Sequence, residues 1–164
     1  MATLSALGIL ELTEQKRVAR VDLAEAGYAG IVYVCDLTAT QQQALAVPRN
    51  SKTVVNYKHN TMEMDLSALS GDTGARFMMA CLVTDAKDGE ILERAFAATQ
   101  ESFITIAKSD LVFIADLLRA ELKSERAVQS KLEEMPNAVT ELIVRTCREI
   151  SGVARDAVEE KKDD

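Results

Sequence analysis

Aromatic side chains are scarce in this sequence, at 4% of 164 residues, and tryptophan is absent. Base-stacking platforms and aromatic-lined ligand pockets have little to be built from, so the core is expected to be aliphatic. The one histidine, His59, has no second histidine at helical spacing and sits in a polar stretch, where an imidazole is ordinarily just solvated. Three cysteines, Cys35, Cys81 and Cys147, are widely spaced and odd in number. That fits neither a closed disulfide framework nor a CxxC metal knuckle, and reduced thiols in a cytosolic protein are expected. The seven glycines are scattered and form no GxGxxG or GxxxxGK[ST], which excludes the familiar phosphate-cradling loops.

Basic clusters are also missing. With 19 Lys and Arg against 26 Asp and Glu, the formal charge is −7, a poor basis for binding nucleic acid, which draws on clustered cations. No apolar run approaches the roughly 18 residues of a membrane span. The stretch Met1 to Leu10 is mildly apolar, but it lacks a basic start and is interrupted by Thr3, Ser5 and Gly8. Neither secretion nor membrane insertion is expected, and cytoplasmic residence is.

What is present is local periodicity. Gln15 to Leu23 alternates as a half-exposed strand, and Ile31 to Cys35 supplies a second apolar run after Gly27 and Gly30, so the pair predicts a β-hairpin. Thr38 and Gln41 have capping-box spacing, which predicts a short helix to about Val47, stopped by Pro48. Residues 48–60 read as a loop with a short strand at Thr53 to Val55. The run Thr73 to Val83 predicts a buried helix, and Asp85 to Glu90 a tight turn with Gly89 able to take positive φ. Apolar positions from Leu111 to Leu122 recur every three or four residues, predicting one amphipathic helix from about Ser109 to Leu122. Ser124 to Met135 is charged and reads as a solvated helix. Asn137 is the expected N-cap of a terminal amphipathic helix reaching about Glu160, followed by a frayed tail.

These elements sum to a mainly α (α+β) fold: an N-terminal β-hairpin, a compact helical domain and a C-terminal amphipathic helix. The expected division is a hairpin and helical core over residues 1–122, and a charged helical extension over residues 123–164.

Candidate chemistry is thin. Aligning Gly89 with the sixth position of a calcium loop puts Thr84 at the first, Ala86 at the third and Ala95 at the twelfth, so the required Asp, Asp or Asn, and Glu are missing at three of the five positions. Cys81 lies in an apolar run that would raise its pKa and make it inert; Cys147, near Arg145 and Arg148, is the more reactive of the two, and both read as packing residues. A scattered site from His59, Glu63 and Asp65 is the only enzyme reading, and no catalytic, cofactor or metal residue is assigned. The candidate partner-binding residues are Val139, Leu142, Ile143, Ile150 and Val153, along one face of the last helix. Exposed, the larger aliphatics among them could each contribute about 1.5–3 kcal/mol against a groove. The competing reading is that the stripe packs on the chain's own core.

The order of three segments carries a family resemblance: Tyr33-Val34-Cys35-Asp36-Leu37-Thr38-Ala39 at the end of the hairpin, Ala75 to Asp85, and Gly89-Glu90-Ile91-Leu92. It resembles the tail assembly chaperones of long-tailed siphophages, over roughly Val18 to Leu122, with Ser109 to Leu122 matching the family's leucine-spaced helix. The stretch 48–70 is longer than in that pattern, and the extension after Ser124 goes beyond it. The resemblance implies a non-enzymatic bacteriophage protein of the host cytoplasm that helps load tail tube protein around the tape measure protein and is absent from the virion. Its implied partners are the tape measure protein, the tail tube protein and a longer, frameshifted form of the same chain, with a homo-oligomer also allowed, and with no cofactor, nucleic acid or membrane. Glu160-Lys161-Lys162 could be encoded by a slippery adenine run, which would make this the short form of a pair made by programmed frameshifting. The alternative is a structural tail or neck connector, or a completion protein, of a phage particle.

Overall fold

A computed structural model of the chain describes residues 3–46, 53–56, 61–64, 72–87 and 89–152. Strand β1 (Gln15–Asp22) and strand β2 (Ile31–Cys35) are the expected hairpin, in register from Val18 opposite Cys35 to Asp22 opposite Ile31. Their connection is a 3₁₀ turn over Leu23–Ala26, opened by the Asp22 carboxylate accepting from the Ala24 N–H at 3.0 Å. It closes at Gly27, whose φ of 86° is a left-handed conformation that side-chain-bearing residues resist.

The expectation of a hairpin followed by a helical domain is overturned here. The hairpin is the centre of a five-stranded antiparallel sheet in the order β6-β1-β2-β5-β7, with β5 at Leu82–Asp85, β6 at Phe103–Ala107 and β7 at Leu111–Phe113. The fold is therefore mixed α and β. Two of these strands abut helices with no intervening loop: α3 (Asp72–Cys81) runs straight into β5, and β7 straight into α5 (Ile114–Leu122). Helical apolar spacing carries across each junction and hides the change of conformation. In β6 the β-branched run Ile104-Thr105-Ile106 favours the extended chain.

Helix α4 (Ile91–Ala97) carries the chain from β5 to the far edge at β6. Its entry corrects a turn expectation: positive φ falls at Glu90 (51°), while Gly89 stays outside that region. The Asp85 carboxylate accepts from the Leu92 N–H at 3.0 Å and fixes the helix start.

Strands β6 and β7 lie at opposite edges, yet only Lys108–Asp110 separates them in sequence. Four Cα steps reach at most ~14 Å, whereas four strand spacings across a flat sheet need ~19 Å. The sheet must therefore curl until its edges approach. Its concave side holds Val18, Cys35, Val83 and Leu111, with Leu92 of α4 fully buried among them and the Tyr33 and Phe96 rings stacked 5.7 Å apart beside them.

The convex side meets the helices. Ala19, Val21, Val34 and Leu82 share a second core with Phe77 and Met78 of α3 and with helix α7 (Asn137–Ser151). Adjacent burial of Val18 and Ala19 follows from cover on both faces of β1. Helix α6 (Glu125–Glu133) starts where Ser124 accepts from the Ala127 N–H; it is charged but not merely solvated, since Val128 and Leu132 are buried in the same core. The point between residues 122 and 123 thus falls between α5 and α6 within one packed core.

Helix α2 (Ala39–Ala46) opens with the reciprocal cap its sequence promised: Thr38 Oγ1 accepts from the Gln41 N–H at 3.2 Å, and Gln41 Oε1 from the Thr38 N–H at 3.0 Å. Strands β3 (Thr53–Asn56) and β4 (Thr61–Met64) pair as a separate two-stranded sheet. At α7, Pro136 rather than Asn137 occupies the cap position, and the Asn137 side chain donates to Glu141 instead.

Candidate functional site

The stripe on α7 is spoken for by its own chain. Val139, Leu142, Ile143 and Ile150 are all buried in the core shared with α3 and the sheet; Val153 lies outside the described residues. Polar contacts hold the helix there. Arg17 of β1 donates to the Ile150 carbonyl and sits 5.1 Å from the centre of the Phe103 ring. The Leu37 N–H donates to Ser151 Oγ at 2.9 Å, and Arg148 lies 5.2 Å from the centre of the Phe77 ring. The helix ends at Gly152, with φ of 83°.

Burial on α7 also gathers the cysteines, which are far apart in sequence. Cys147 donates to the Cys35 carbonyl at 3.5 Å, and Cys35 lies 3.8 Å from the Ala80 carbonyl. Burial pushes the Cys35 thiol up to about 12; the neighbouring Cys147 thiol together with full burial pushes Cys81 well above the usual thiol range, while the Cys81 thiol draws Cys147 below it. Among the described residues no group of three or more His, Cys, Asp or Glu is arranged to hold a metal ion.

Because all three thiols are buried, the folded chain is expected to resist an aromatic disulfide reagent at pH 8, and the denatured chain to release all three. An unfolded Cys35 ionises near 9.0 and the folded one near 12, so the unfolded state gives up its proton first and stability falls as pH rises through that interval. Urea midpoints measured from pH 8 to pH 11 check the slope, and Cys35→Ala should flatten it.

His59 and Asp65 lie outside the described residues. Glu63 stands in β4 opposite Val54.

Two surfaces that composition and spacing did not single out are exposed instead. The first is the N-terminal arm, helix α1 (Ala6–Glu11) with the 3₁₀ turn Leu12–Glu14. Ser5 caps it by accepting from the Gly8 N–H. No residue of α1 is buried, and Leu4, Leu7, Ile9, Leu10 and Leu12 are between 52% and 72% exposed. Aliphatic residues contiguous along one short segment and left in water mark a contact surface, unlike single exposed leucines. The sequence signal lies in five aliphatics within nine positions, a density that a targeting segment would share.

The second is a groove of about 600 Å³ between α3, α5 and α6. Leu45, Met79 and Ala80 give it an apolar side, and Arg76, Arg119 and Arg126 a basic one. Arg76 donates to the Ala44 carbonyl at 2.8 Å and lies 4.0 Å from Asp72. Arg119 pairs with Asp116 and, at 3.1 Å, with Glu125, which also lines the groove. Arg126 makes no ion pair among the described residues.

No family model, curated protein or solved structure matches this chain. Among the described residues, no helix is long and apolar enough to cross a membrane.

Proposed function

We propose that this chain is a tail assembly chaperone of a long-tailed phage, a non-enzymatic protein of the host cytoplasm that holds tape measure protein and yields it to tail tube protein. The observation that carries the reading is the exposed aliphatic arm, a surface suited to holding other apolar protein segments. The order of resembling segments supports it: the first crosses from β2 into α2, the second covers most of α3 and all of β5, and the third opens α4.

The tape measure protein of such phages is long and helical, and its apolar faces self-associate if left open. Shallow aliphatic contacts suit its transient holder, because they can be displaced one at a time by incoming tube subunits. A deep pocket would bind more tightly and release more slowly.

Co-expression tests the reading. Affinity capture of the full chain should retain the tape measure protein encoded by the same phage, and mass spectrometry of purified particles should find this chain absent. Presence in the particle at a fixed copy number would favour a connector or completion protein instead. The short-form proposal stands or falls on the gene: a slippery heptamer is expected across codons 159 to 162.

A further inference from the structure

The arm and the groove are complementary, and a single copy leaves both open. Residues 3–14 offer Leu4, Leu7, Leu10 and Leu12 together with Glu11 and Glu14, and no basic residue. The groove offers apolar Leu45 and Met79 beside three arginines, of which Arg126 is the one whose charge no described residue compensates. In a chain of net charge −7, a basic groove edge facing an acidic apolar arm is a specific match rather than an average property of the surface.

The arm leaves the body at a fixed point. Gln15 is paired with Ala107, Lys16 Nζ donates to the Asp36 carbonyl at 3.2 Å, and the Arg17 N–H donates to the Asp36 carboxylate at 3.1 Å. Among the described residues, the hydrogen bonds of residues 3–14 run only within the arm and to Gln15. Nothing there draws the arm back onto its own body, so its apolar residues need cover from outside.

We propose that the chain self-associates by exchanging arms: the α1 arm of one copy lies in the groove between α3, α5 and α6 of a second, with Glu11 and Glu14 towards Arg126, and the second copy returns the same contact. The two contacts are identical and close around a two-fold axis, so association stops at a dimer. The pairing uses the same arm as the tail-chaperone reading, so an exchanged arm must leave the groove before it can hold a foreign apolar segment.

Sedimentation equilibrium of the full chain across the micromolar range tests it. The wild type should approach twice the chain mass. The Leu7→Asp/Leu10→Asp variant should remain monomeric, and Glu11→Arg/Glu14→Arg and Arg126→Glu should each weaken association at least about tenfold. Far-ultraviolet circular dichroism spectra should stay unchanged, because all these positions are exposed in the single chain. Mixing the Glu11→Arg/Glu14→Arg chain with the Arg126→Glu chain should restore a two-copy species, since both contacts of the mixed pair are again matched in charge: the reversed arm meets the reversed groove, and the unchanged arm meets the unchanged groove. A wild type that stays monomeric, arm variants that dimerise normally, or folded charge-reversed chains that fail to recombine would each overturn the proposal. A monomeric wild type whose tape measure capture is lost on Leu7→Asp/Leu10→Asp would assign the arm to a foreign helix instead.

Discussion

Ile143→Asp is expected to leave no cooperatively folded chain at 25 °C, seen as loss of the urea transition in far-ultraviolet circular dichroism. Ile143 is 1% exposed, on the face of α7 that meets α3 and the sheet. Removing it forfeits about 1.5–3 kcal/mol of apolar burial, and an aspartate with no partner there must either stay protonated or bury a charge, at several kcal/mol more. Whole-domain stability is only about 5–15 kcal/mol. Ile143→Val keeps the shape and should cost about 0.5–1.5 kcal/mol, while Arg145→Asp on the exposed side of the same helix should stay within about 0.5 kcal/mol. An interface stripe would behave in the opposite way, with Ile143→Asp folding normally and losing only a partner.

That contrast marks where the sequence could be read and where it could not. Local signals came through: the alternation in β1, the Thr38 and Gln41 cap, and the helical period of α7 each depend on residues a few positions apart. The sheet did not, because β1 pairs with β6 across more than eighty residues and no periodicity names a strand's partner. Strands β5 and β7, four and three residues long, are too short to show a period of two. In α6, Val128 and Leu132 were outnumbered by charges, yet two apolar residues one turn apart suffice to dock a helix on α3.

The candidate site failed for a related reason. An amphipathic stripe reports that a helix face needs cover, and it does not report whose atoms provide it. On α7 the cover is the chain's own sheet and α3. On the arm the apolar residues were equally legible, but their exposure became visible only once every neighbouring element was in place. The basic side of the groove draws Arg76 from α3, Arg119 from α5 and Arg126 from α6, positions that only folding brings together.

Leu92→Ala tests the curled sheet in the same way, through a residue whose role follows from topology alone. Leu92 is fully buried on the concave side, where Val18, Cys35, Val83 and Leu111 surround it. Leucine-to-alanine changes in cores cost about 2–5 kcal/mol, and the cost rises with the cavity that remains. Strands whose edges are tied by the three-residue link Lys108–Asp110 cannot close over the vacated space, so a loss near 4 kcal/mol is expected, a fall in Tm of roughly 10 °C. A flat, open sheet would let water or side chains fill the gap and would bring the loss towards 2 kcal/mol. Hydrogen exchange separates the two cases further. Helix α4 is the only covalent route from β5 to β6, so with its anchor removed the β6 amides should lose protection before those of β1 and β2. Leu117→Ala, on the exposed side of α5, should change neither the melting temperature nor the order of exchange.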